Sequence, residues 1–137
     1  MRALWTALLL GACATTPAPP PERLAGCWIN RDAGAVTMRW LPDRSRPGVL
    51  RGHRASYGAV GVNNSRRFTL EPRNNHWVLC ETFEGAEARC WRVAQGESGS
   101  LEGGRAFVDR HGDRLRIAIL GDGDEQVIFQ GRRDGCD

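Results

Sequence analysis

The sequence predicts an all-β fold, an antiparallel meander of about eight strands closed into a small β-barrel, and three observations carry that prediction. Between Gly26 and Arg133 no stretch repeats its apolar residues at helical spacing. Gly and Asn/Asp turn residues recur about every eight to twelve residues, the punctuation of a sandwich or barrel. Several segments alternate apolar and polar residues with the period of two that a half-buried strand requires.

Three segments divide the chain. Met1-Arg2 supplies a short positive start, and Ala3 to Leu10 is an apolar run far too short to span a bilayer as a helix, so residues 1–12 read as a signal peptide. Its end, Leu10-Gly11-Ala12-Cys13, resembles a bacterial lipobox, in which Cys is diacylated and becomes the mature N-terminus. The bland alternative is an ordinary secretory signal with an accidental Cys. Cys13 is expected to anchor the protein to a membrane, each buried methylene adding about 0.8 kcal/mol. Ala14 in place of Asp resembles lipoproteins sent to the outer membrane, facing the periplasm. Residues 13–23 then form the lipidated Cys and a Pro-rich spacer, since Pro fixes φ and favours extended chain. Residues 24–137 amount to one domain.

The first strand is expected at about Cys27 to Asn30, turned by Arg31 to Gly34. The second puts Val36, Met38 and Trp40 on one face. A third, near Val49 to Tyr57, mixes Arg51, His53 and Arg54 with its apolar residues, so its inward face stays open. Gly58 to Ser65 reads as a loop, Arg67 to Leu70 as a short strand and Glu71 to Asn75 as a turn. A loop at Glu84 to Ala86 sets Cys80 opposite Cys90 and Leu79 opposite Trp91, with Trp77, Leu79, Trp91 and Val93 sharing a face; a slip of one residue would break both features. Gln95 to Gly104 reads as flexible. The last strands are joined at His111-Gly112 and at Asp122 to Asp124, which places Val108 opposite Leu115, Ile119 opposite Val127 and Ile117 opposite Phe129.

With Cys13 assigned to lipid, four cysteines remain, an even number suited to an oxidising compartment. Of three possible pairings, Cys80–Cys90 follows from the hairpin register. Cys27–Cys136 follows from barrel closure, which sets the first strand beside the last. A zinc site of four Cys is disfavoured, because no C-x-x-C spacing is present.

Leu24-Ala25-Gly26-Cys27-Trp28, the Arg39-Trp40-Leu41-Pro42 segment and an Arg after the last strand together resemble the calycin superfamily, in particular small bacterial lipocalin-like lipoprotein domains. The resemblance implies that Trp28 packs at the closed end of the barrel beneath an Arg of the final strand, Arg133, with Arg132 as fallback. It also implies an interior that binds a small apolar or amphipathic molecule.

Chemistry is sparsely signalled. All 19 basic residues are Arg, interspersed with 16 acidic ones for a net charge of +3. Without a basic stripe, nucleic acid is excluded as the expected partner. His53, His76 and His111 form no catalytic order with Ser, Asp or Cys, no metal-ligand spacing and no phosphate-cradling loop, so neither an enzyme, a metal nor a cofactor is expected. Trp40, Trp77 and Trp91 are read first as core and second, with His53, as lining a pocket mouth. Two classes of function follow for an expected monomer. One is the small-molecule binder; the other is a protein-interaction lipoprotein, such as an inhibitor of an envelope enzyme resembling small β-barrel lysozyme inhibitors. The second would use an exposed loop, Gly58 to Asn64 or Gln95 to Gly104.

Overall fold

The structure, a computed structural model, describes residues 23–32, 34–74, 76–94, 105–121 and 123–136. Its nine strands are β1 (Gly26–Asn30), β2 (Ala35–Pro42), β3 (Leu50–Gly58), β4 (Gly61–Arg73), β5 (His76–Phe83), β6 (Ala86–Arg92), β7 (Ala106–His111), β8 (Arg114–Leu120) and β9 (Glu125–Asp134). They form one sheet in the order β6-β5-β4-β3-β2-β1-β9-β8-β7, every neighbouring pair antiparallel. The first and last strands are neighbours, with Trp28 opposite Arg133.

The seam of the barrel therefore lies elsewhere, between β6 and β7. There the curled sheet meets in a short parallel bridge at Val93 and Ala106, flanked by Ala94 N–H to the Ala106 carbonyl and Arg105 N–H to the Arg92 carbonyl. Among the described residues the rest of both edges is unpaired, so the shape is a half-barrel. Gln95 to Gly104, predicted to be flexible, lies outside the described residues, as do the signal peptide, Cys13 and the linker.

The interior is built from the inward parity of every strand. Leu24, Trp28, Met38, Trp40, Leu50, Phe68, Leu70, Leu79, Ile117, Ile128 and Phe129 are all buried in one cluster. Trp40 is fitted against Gly52 across the β2–β3 ladder: a Cβ on Gly52 would stand 2.6 Å from the indole ring. Gly52→Ala is expected to cost about 1–3 kcal/mol by overpacking. Gly135→Ala, where a Cβ would meet nothing within 4 Å, should be neutral. Urea unfolding checks both, and equal stability of the two variants would remove Gly52 from the packing argument.

Four expectations are corrected. The Gly58 to Ser65 loop is instead a hairpin around Ala59-Val60, with β4 running unbroken from Gly61 through the expected turn at Glu71 to Arg73. Gly61 at φ 112° makes the tight reversal, and Asn74 at φ 55° makes the next one. At the β7–β8 turn, His111 pairs with Arg114, so Val108 faces Ile117 rather than Leu115. In β9 a bulge shifts the ladder between Ile117 and Ala118, so Ile119 faces Gln126 rather than Val127. The extra residue carries Ile128 inward and leaves Val127 45% exposed.

Candidate functional site

Of the aromatic residues proposed for a pocket mouth, Trp40 is wholly buried, and its Nε1 finds no hydrogen-bond partner among the described residues. Trp77 and Trp91 are half-buried against the same core cluster. His53 points the other way. It stands on the outer wall between Arg39 and Arg67, its ring within hydrogen-bonding distance of the Ser65 hydroxyl. The structure therefore does not bring these four residues together. The disulfides pair Cys27 with Cys136 and Cys80 with Cys90.

Trp28 occupies the end of the barrel where the chain enters. Its indole N–H donates to the Leu24 carbonyl at 3.0 Å, and it is 1% exposed. The Arg133 guanidinium lies 5.0 Å from the ring centroid and donates to the Ala25 carbonyl at 2.7 Å. Arg110, from β7, lies 5.9 Å from the same ring. Gly26 has φ 128°, and a Cβ there would press on the Arg133 guanidinium at 3.2 Å. The Gly of Gly-x-Trp is thus required twice, by its backbone conformation and by the Arg passing over it.

Farther along the interior is a charged layer that the sequence reading did not assign. Glu81, buried, accepts two hydrogen bonds from Arg66, Nε at 2.7 Å and Nη2 at 2.9 Å. Arg66 also lies over the Phe68 ring at 5.3 Å. Arg54 faces Arg66 across the β3–β4 ladder and donates from Nε to the carbonyl of Ile128, the bulged residue, at 2.7 Å. Burial, and then the neighbouring Arg66, pull the Arg54 guanidinium below its ordinary pKa. The visible signal was inward parity: Arg54 shares the face of Gly52 and Leu50, and Glu81 that of Leu79 and Trp77.

The β2–β3 connection is tied by its own polar groups. The Asp43 carboxyl lies at about 2, because Ser45 donates to it from hydroxyl and backbone and Arg46 adds its Nε. Arg46 also donates to Glu71 at 2.8 Å. Burial raises the Glu71 pKa, but Arg46, Arg73 and Thr69 together outweigh it and the net shift is down. These ties hold the connection against β4.

Two further features lie on the outside of the sheet. The β3–β4 hairpin has an open edge toward its tip, because β5 joins β4 only from Arg67 onward, whereas β2 follows β3 as far as Tyr57. Its tip is apolar: Val60 is 98% exposed, with Tyr57 and Val62 paired across the strands behind it. The second feature is a groove of about 710 Å³ on the outer wall of β1, β9, β8 and β7. Among the described residues no group of three His, Cys, Asp or Glu is placed to hold a metal, and no helix is long and apolar enough to cross a membrane. No family model, curated protein or solved structure matches this chain.

Proposed function

We propose that the chain is a lipid-anchored envelope protein, held by Cys13, whose domain binds a protein partner through its outer surface and carries out no catalysis. Membership of the calycin superfamily is part of this reading and rests on Gly26, Trp28 and Arg133. The observation that carries the protein-binding reading is the apolar tip of the β3–β4 hairpin. Tyr57, Val60 and Val62 keep apolar surface in water at the tip of the β3–β4 hairpin, the form of an anchor that fills a partner's cleft. The competing reading, an interior small-molecule binder, is less well supported, since Trp40, Phe68, Leu79 and Phe129 occupy the interior that a ligand would need.

The test is titration of the full-length protein against a panel of envelope muramidases and other cell-wall hydrolases, beside titration with a fluorescent fatty acid. Inhibition of at least one hydrolase is expected, weakened at least about tenfold by Val60→Asp, the scale of losing one apolar anchor. The fatty acid should show no saturable binding. Stoichiometric fatty-acid binding, with hydrolases unaffected by either form, would replace this reading with the small-molecule one.

A further inference from the structure

The groove on the outer wall has a composition that points to its occupant. Its walls carry Arg31, Arg114, Arg116 and Arg132, set against Asp32 and Asp109, over a floor that includes Ile29. Arg114 and Arg132 stand directly opposite each other across the β8–β9 ladder, and both are exposed. Like charges directly opposed across strands oppose folding. Neither makes an ion pair among the described residues, while the neighbouring Arg116 is paired with Glu125 and His111 with Asp109 at 3.0 Å. The groove thus holds two adjacent guanidinium groups that no ion pair among the described residues neutralises.

We propose that this groove binds an acidic peptide segment of a protein partner, a carboxylate lying between Arg114 and Arg132 and an apolar side chain on Ile29. The inference rests on the protein-binding reading and adds a second contact, on a wall of the domain distinct from the hairpin tip. Guanidinium groups present a planar fork that matches a carboxylate with two parallel hydrogen bonds. The mixture of charges decides among anionic partners. A polyanion such as a phosphorylated glycan or an anionic bilayer would meet Asp32 and Asp109 at the groove walls and gain nothing from Ile29. A peptide alternating Glu with an apolar residue satisfies both kinds of lining. Arg116, held by Glu125, and Gln130 line the strand rows alongside and supply further donors to a bound backbone.

The test uses the full-length protein and a short fluorescein-labelled peptide of alternating Glu and Leu, followed by fluorescence anisotropy. Saturable binding is expected, weakening steeply with salt and falling at least about tenfold in Arg114→Gln/Arg132→Gln. The same peptide with Gln for Glu should not bind. Because the double variant removes a like-charge pair from an exposed ladder, its thermal unfolding midpoint should stay level or rise, so lost binding cannot be lost folding. Vesicles of phosphatidylglycerol and inorganic polyphosphate serve as the other arms. Equal binding of the peptide by wild type and double variant overturns the proposal. So does binding of the vesicles or polyphosphate without the peptide. Peptide binding without inhibition of any hydrolase would retain the groove and remove only the hydrolase as partner.

Discussion

Trp28→Ala is expected to lower the unfolding free energy by about 3–5 kcal/mol, a large part of the roughly 5–15 kcal/mol available to a domain of this size. Three losses combine. The indole is fully enclosed, so its removal leaves a cavity between Leu24, Met38 and the β7–β9 side chains rather than a dent. Its N–H bond to the Leu24 carbonyl disappears, which frees the segment that leads into β1. Arg133 and Arg110 lose the ring that receives their charge, leaving a half-covered guanidinium in each place. Arg133→Ala should cost less, about 1–2 kcal/mol, because a cation over an indole contributes about 0.5–2 kcal/mol and Arg110 remains. Urea unfolding followed by far-ultraviolet circular dichroism measures both. A loss in Arg133→Ala as large as in Trp28→Ala would show that the Ala25 carbonyl bond, not the ring, organises that end of the barrel.

How much of this was legible in the sequence depended on whether a strand had one wet face and one dry one. In the sequence the β5–β6 hairpin alternates that way, and its register could be read from Leu79, Trp91 and the two cysteines alone, although in the fold Val78 to Glu81 are all buried; only the tightened turn, with Phe83 opposite Ala86, departs from it. Residues 61–66 are polar and exposed nearly throughout, so they carry no period and read as loop, although their backbone is a strand. In β9 the run Val127-Ile128-Phe129 is apolar at three successive positions, and such a run fits either parity until a bulge decides it. Arg133 was nevertheless placed on the inward face, because Phe129, Gly131 and Arg133 alternate undisturbed beyond the bulge. Gly131 itself has no room for a side chain, its Cβ direction being filled by the Phe129 ring at 2.6 Å and the Ile29 carbonyl. The groove was the least legible feature. Arg31 is far in sequence from Arg114 and Arg132, which face each other across the β8–β9 ladder, and joins them only because β1 lies beside β9, yet the outward parity of Arg114 and Arg116 on β8 was a signal within reach.

Replacing both Cys27 and Cys136 by Ser is expected to cost roughly 5 kcal/mol, against roughly 2.7 kcal/mol for the same change at Cys80 and Cys90. The chain-entropy account gives both figures from loop length alone: the first bridge spans 109 residues of sequence and the second only 10. The native structure gives no reason to expect the reverse order. Cys80 and Cys90 are already opposite each other in a hairpin that its backbone ladder holds, and the chain between them is short even when unfolded. Cys27 instead fastens β1 to the chain just past β9, where the ladder ends at the pairing of Cys27 with Asp134. That bridge joins the two ends of the domain, so in the unfolded chain it excludes the largest share of open conformations. The measurement is urea unfolding of the two double-Ser variants under identical conditions, each compared with the oxidised parent. Equal losses, or a larger loss for the hairpin bridge, would show that the unfolded chain already keeps its two ends close. The proximity of β1 and β9 would then be set early by apolar contacts around Trp28, and the bridge would record that meeting rather than enforce it.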